Sequence, residues 1–179
     1  MNANLNKSNL LKTFLQYSVP CILAMLLTSC ITVIDGMFIG WKLGGKGLAA
    51  VNLTIPVLYL LFGITIMVGV GGLTLAMHSL GGGNKPLADK RFTFTIVLNA
   101  VVNLIASVVL IVFRDAVIGF LNVEEELLPY VRDYLGIMSY FYIFIMMNIT
   151  IMMFIRGEGK PQLSLMFSII ANTLNIVLD

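Results

Sequence analysis

Two aspartates lie inside long apolar stretches of this sequence. Asp35 is 21 residues beyond Phe14, where the first stretch begins, and Asp179 is 18 residues beyond Pro161 in the last. A charged side chain at the centre of a bilayer costs about 2.5–3.5 kcal/mol even on a lenient scale, so it usually faces a protein interior or a wet cavity and serves a function. At 1.5 Å per residue the two carboxylates lie about 31 and 27 Å along their helices. We therefore expect them at similar depth.

The neighbours of both aspartates extend this pattern. In the last stretch, polar residues recur every three or four positions: Ser164, Ser168, Asn172, Asn175 and Asp179. In the first stretch, three do so: Thr28, Thr32 and Asp35. Such spacing places residues on one helix face, and two faces of this kind could line a hydrated cavity. The alternative is that the hydroxyls bond to carbonyls one turn back and that the amides join helices.

Two such carboxylates suit the binding of a cation. Desolvation disfavours the charged carboxylate, and a second carboxylate nearby disfavours it further, so the pair could hold a proton near neutral pH. Their oxygens could equally surround a small cation such as Na⁺. The site would then act as a switch that is compact when loaded and repels itself when empty.

The composition places these residues in a membrane protein. Of 179 residues, 59% are apolar and only 11% are charged, against about 25% charged in soluble domains, and the mean hydropathy is +0.97. These values exclude a soluble enzyme, a nucleic-acid binder, a disordered chain and a disulfide-stapled secreted module. Cys21 and Cys30 lie too far apart on one helix for a disulfide.

The hydropathy predicts five membrane-spanning helices, the fifth incomplete. Residues 1–13 would be a cytoplasmic N-terminus and 14–179 the membrane domain, with spans at about 14–39, 48–77, 92–113, 129–155 and 162–179. The Gly/Pro-bearing stretches between them predict turns at Gly40–Gly47, His78–Arg91, Arg114–Leu128 and Arg156–Pro161. With the N-terminus inside, seven Lys and Arg residues face the cytoplasm and four face outward, which favours that orientation in a plasma (inner) membrane.

Pro20 interrupts the first span, and proline kinks a helix because it removes a backbone hydrogen bond. The kink could be a bendable element that carries Asp35, or a static feature of packing. No Cys/His cluster with metal-ligand spacing and no nucleophile–base pair is apparent, so the sequence does not predict an enzyme, a cofactor or a nucleic-acid partner.

Several patterns together resemble one transporter family. They are the run Asp35-Gly36-Met37-Phe38-Ile39-Gly40 with Leu48-Ala49-Ala50-Val51, the run Asn52-Leu53-Thr54-Ile55-Pro56 with glycines 63, 69, 71 and 72, the 81–91 loop, and Arg156-Gly157-Glu158-Gly159-Lys160-Pro161 with Asn172, Asn175 and Asp179. In this order they resemble the MATE (multidrug and toxic compound extrusion) family. The resemblance covers essentially the whole chain.

The resemblance implies an all-α transporter of twelve helices in two lobes, of which this chain carries helices one to five of the N-terminal lobe. It also implies a cation site at Asp35, Asn175 and Asp179, with Asn148 as a further member, and matches Pro20 to a bendable position. The family exports organic, often cationic compounds by alternating access, driven by H⁺ or Na⁺. The partners expected are such a substrate, the lipid bilayer and the missing second lobe of a full-length parent.

Three other interpretations stay open. A lipid-linked oligosaccharide flippase of the same superfamily would be expected to carry cationic side chains for phosphates in mid-span, where this sequence has none. Paired aspartates can form a protease dyad, but Asp179 follows Asn175-Ile176-Val177-Leu178 rather than a glycine-rich context. An inactive membrane fragment is the third, because one lobe minus a helix cannot alternate access.

Overall fold

The chain is helical throughout the part that the structure describes. The computed structural model describes residues 7–178, with side chains for residues 10–176, and this range contains five helices and no strand. The helices are α1 (Lys7–Gly81), α2 (Lys85–Val112), α3 (Arg114–Phe120), α4 (Leu128–Gly157) and α5 (Pro161–Leu178). The predicted all-α class is confirmed.

Helix α1 is interrupted at Gly44. Its apolar stretch Leu10–Gly81 has 72 residues, or about 108 Å of rise, which exceeds three times the hydrocarbon thickness of a bilayer. Gly44 has φ 67° and ψ −163°, a conformation that glycine adopts without the steric penalty of a Cβ. It divides α1 into residues 7–43 and 45–81, which contain the first two predicted spans. The predicted turn Gly40–Gly47 is wrong for its other residues, which are helical.

Three helices in the described range are long and apolar enough to cross a membrane: Leu10–Gly81, Lys85–Val112 and Leu128–Gly157. Helix α3 was expected to be part of a turn. It forms because Ile118 packs with Ala50, Val131 and Leu135 in one apolar cluster, and because Asp115 in its first turn favours the helix dipole. Seven residues are too few for a recognisable hydrophobic period.

The described residues divide into two compact units. One comprises residues 7–37 with residues 155–178, and the other comprises Phe38–Phe154. In the first unit, the hydroxyl of Tyr17 lies 3.3 Å from the position that a Cβ would take on Gly159. Gly159 has φ +84°, so this close turn between α4 and α5 is suited to glycine.

The interior of the Phe38–Phe154 unit is polar where helices meet. Helix α2 buries Ala88, Thr95, Asn99, Asn103, Ser107 and Leu110, while its exposed face is apolar. Gly72 of α1 meets the Thr95 side chain so closely that a Cβ would overlap it. Small residues permit such close approach between membrane helices. Polar groups inside and apolar groups outside are the arrangement expected where lipid is the solvent.

The turn between α1 and α2 is held by side chains. Asn84 caps α2 by accepting a 3.1 Å hydrogen bond from the Leu87 amide. The Arg91 guanidinium donates to the Leu75 carbonyl at 2.9 Å and to Ser79 Oγ at 2.6 Å. The bonds from Arg91 tie the start of α2 to the last turns of α1.

Candidate functional site

The predicted cation site falls mainly in the first compact unit. Asp35 of α1 and both Asn172 and Asn175 of α5 belong to it, and each is half-buried. Asp179 lies outside the described residues. Asp35 and the two asparagines of α5 thus belong to one compact unit, and their role in ion binding stays a prediction.

Two amide atoms on α5 stand out. Asn172 Nδ2 and Asn175 Oδ1 are buried and have no hydrogen-bond partner among the described side chains and backbone. A buried polar atom without a partner costs about 1–3 kcal/mol, so such atoms are uncommon and usually have a function or a bound group. The Asn175 oxygen is an acceptor, which is the type of atom that hard cations bind.

The threonines expected on the cavity wall bond within their own helix. Thr28 Oγ1 donates to the Ala24 carbonyl at 3.0 Å, and Thr32 Oγ1 donates to the Thr28 carbonyl at 3.1 Å. Both residues are exposed. Their protons are used locally, as the packing interpretation expects, while the hydroxyl lone pairs stay available as acceptors.

Two further predicted residues have different surroundings. Asn148, expected as a member of the cation site, is exposed and belongs to the Phe38–Phe154 unit. Pro20 is half-buried within α1, which stays helical around it. Across residues 10–176, no three His, Cys, Asp or Glu side chains form a group that could hold a metal ion.

A second polar cluster was not predicted. We call Thr65, Asn99, Asn103 and Thr150 the polar column; all four are at most 1% exposed. Thr65 Oγ1 donates to Asn103 Oδ1 at 2.6 Å, and Asn99 Nδ2 donates to Thr150 Oγ1 at 2.9 Å. Asn103 Nδ2 donates to the Asn99 carbonyl at 2.8 Å. The column joins α1, α2 and α4 within one unit.

The sequence carried a signal for this column. Thr95, Asn99, Asn103 and Ser107 recur every four residues in the third apolar stretch, which is the spacing of one helix face. The column holds no charged side chain, and its hydroxyl and amide groups are largely satisfied by one another. It therefore serves helix association better than ion binding.

Comparison with known proteins identifies the family. Residues 20–179 match the MatE family model. The chain belongs to the MatE family. Its members are membrane transporters, so MatE membership and the apolar helices together make this a multi-pass membrane protein.

Curated MatE relatives are export proteins. The chain is 28% identical over 173 residues to multidrug export protein MepA of Staphylococcus haemolyticus (strain JCSC1435), and 27% identical to the protein of that name from Staphylococcus aureus (strain MSSA476). Each match covers 97% of this chain and 38% of the relative, so the chain spans about two fifths of their length. No solved structure gives a significant match.

Proposed function

We propose that this protein exports organic compounds by alternating access, driven by H⁺ or Na⁺ that binds at Asp35, Asn175 and Asp179. MatE membership and the MepA relatives support the export of small organic molecules. The observation that carries the ion site is the buried Asn175 oxygen, which lacks a donor among the described residues and lies in the same compact unit as Asp35.

The proposed chemistry is exchange of an organic compound, moving outward, for H⁺ or Na⁺, moving inward. Carboxylates at Asp35 and Asp179 would bind the ion, while Asn175 would contribute a neutral oxygen that needs no countercharge. Loading would neutralise groups that otherwise repel each other and attract water, and would favour the state that has released the organic substrate. One charge that crosses 100 mV supplies about 2.3 kcal/mol, enough for more than one decade of substrate gradient.

The proposed location is the plasma membrane with the N-terminus in the cytoplasm. Seven Lys and Arg residues would then face the cytoplasm and four would face outward, in agreement with the positive-inside rule. In this orientation the proposed transport is outward, and the two aspartates would lie in the outer half of the membrane.

The proposal is tested by Asp35→Asn in cells that express the protein and accumulate a fluorescent organic cation. We expect loss of energised efflux with unchanged amounts of protein in the membrane, because the amide keeps the size of the side chain but cannot bind a proton or balance Na⁺. The matched control is Asp89→Asn, since Asp89 is exposed at the beginning of α2. Normal efflux by Asp35→Asn would refute the assignment.

The coupling ion is resolved in inside-out vesicles. Addition of substrate should dissipate a pre-formed pH gradient if protons are exchanged, or should release loaded ²²Na⁺ if sodium is. Asn175→Leu should weaken either signal, because it removes the neutral oxygen while leaving both carboxylates. Exchange that needs neither ion would contradict cation coupling.

A further inference from the structure

Arg114, the first residue of α3, lies in an unusual position. It is half-buried, and its Nε is buried without a hydrogen-bond partner among the described residues. Its Nη1 is 3.1 Å from the point that a Cβ would occupy on Gly136. The guanidinium therefore lies against α4, in space that the side chain of any larger residue at position 136 would enter.

A cavity of about 440 Å³ opens beside this guanidinium. Its charged lining residues are Arg114, Arg132 and Asp133, a sum of +1. Arg132 Nη2 is already bonded to an Asp115 oxygen at 2.7 Å. The Arg114 side chain forms no hydrogen bond in the described part of the chain, so all of its guanidinium donors are available to a ligand.

The rest of the cavity wall is apolar and exposed. Ile137, Tyr140 and Phe141 line it and are 62%, 63% and 58% exposed. They belong to α4, which is apolar enough to cross a membrane. Gly136 is eight residues beyond Leu128, where α4 begins, or about 12 Å along the helix. A cationic donor thus adjoins an apolar wall near one end of a membrane helix.

We propose that this cavity binds a membrane phospholipid. The phosphodiester accepts hydrogen bonds from Arg114, and the acyl chains lie along Ile137 and Phe141. A guanidinium matches phosphate oxygens in a planar, two-donor geometry, and the negative charge of a phosphodiester complements Arg114, which makes no ion pair in the described range. A soluble anion would leave the apolar wall unused. This site shares no residue with the proposed ion-coupling set and does not depend on transport.

The first test is native mass spectrometry of the full chain, purified in a non-ionic detergent and titrated with phosphatidylglycerol. We expect Arg114→Gln to weaken the retention of the first lipid about tenfold, which corresponds to about 1.4 kcal/mol. Lys42→Gln is the charge-matched control, because Lys42 is exposed and lines none of this cavity. An equal loss in both variants would mean a general charge effect and would overturn the proposal.

A second pair of variants keeps the charge constant. Gly136→Ala places a methyl group 3.1 Å from Arg114 Nη1, whereas Gly119→Ala meets no atom within 4 Å. Alanine suits a helix better than glycine, so neither change should impair folding. We expect only Gly136→Ala to weaken lipid retention. Normal retention by Gly136→Ala would overturn the proposal even where Arg114→Gln fails to fold.

The last experiment distinguishes a phospholipid from a lipid without phosphate and from free phosphate. Diacylglycerol with the same acyl chains should bind at least about tenfold more weakly, because it lacks the acceptor for the charge-assisted bond. Inorganic phosphate at millimolar concentration should not displace phosphatidylglycerol. Displacement by inorganic phosphate, or equal binding of diacylglycerol, would contradict the assignment to a phospholipid.

Discussion

Thr65 of α1 and Asn103 of α2 share a 2.6 Å hydrogen bond between fully buried side chains. The bond joins residues 38 positions apart in the sequence, inside a protein whose surface is largely apolar. In lipid, apolar contact between helices supplies little driving force, so packing and interhelical hydrogen bonds hold the helices together. The polar column is therefore a main support of the Phe38–Phe154 unit.

Replacement of Thr65 by Val should destabilise this unit. The change preserves shape but leaves Asn103 Oδ1 without its donor, and hydrogen bonds between membrane helices contribute about 0.6 kcal/mol on average and up to about 1.7. We expect the free energy of unfolding to fall by an amount near the upper value, measured by reversible unfolding in mixed detergent micelles. Thr74→Val is the matched control, because exposed Thr74 bonds only to the Val70 carbonyl one turn back. Equal stability of the two variants would contradict a supporting role for the column.

Neighbouring glycines of α1 should respond oppositely to the same change. A Cβ on Gly72 would overlap Thr95, whereas one on Gly71 meets nothing within 4 Å. Overpacking typically costs about 1–3 kcal/mol, so Gly72→Ala should lower the unfolding midpoint. Gly71→Ala should leave it unchanged or raise it, because alanine favours the helix. A similar drop for both would show that helix contact at Gly72 is not the cause.

Loss of the Arg91 side chain should loosen the end of α1. Arg91→Gln removes the donors to the Leu75 carbonyl and Ser79, and hydrogen bonds from a charged donor contribute about 1.5–3 kcal/mol in favourable cases. We expect faster amide hydrogen exchange between residues 75 and 84. Lys90→Gln is the control, because Lys90 is exposed and makes no ion pair in the described range. Unchanged exchange in Arg91→Gln would argue against a role of these two hydrogen bonds in holding the end of α1.

The pKa of Asp115 should depend on Arg132. The hydrogen bond from Arg132, then its charge, lower the pKa of this carboxyl from 3.8. The folded value lies below the unfolded one, so the pair's stabilisation is present above about pH 3.8 and is lost as the pH falls further. Carbon NMR titration should show the Asp115 midpoint rise in Arg132→Gln and stay constant in Lys42→Gln. Added salt should shrink the difference, because both groups are exposed.

Hydropathy alone predicted the helical class, because long apolar runs have one stable form in lipid. It did not predict that a single residue, Gly44, interrupts α1, since the surrounding glycines suggest a longer turn. Helix α3 was missed because its stability comes from Ile118 packing and from the ion pair of Asp115 with Arg132, which join residues distant in sequence.

The residues of the candidate sites also differ in how far the sequence alone marked them. Asp35 was recognisable because a charge in an apolar run is conspicuous, and its role in coupling stays a prediction. Asn99 and Asn103 are uncharged, so only their four-residue spacing marked them, and their partners Thr65 and Thr150 could not be inferred without the fold. Arg114 was read as a loop cation, because nothing in the sequence places Gly136 beside it.

The polar column also bears on how the chain is synthesised. Thr65 leaves the ribosome before α2, so Asn103 can find its partner as soon as α2 leaves the translocon. Asn99 can bond to Thr150 only after Thr150, which lies 51 residues later in the sequence, has been synthesised. Until then its amide must stay near the translocon, the lipid headgroups or the Thr65 carbonyl, 3.4 Å away in the finished fold. Biogenesis of this unit is therefore complete only when α4 has entered the membrane.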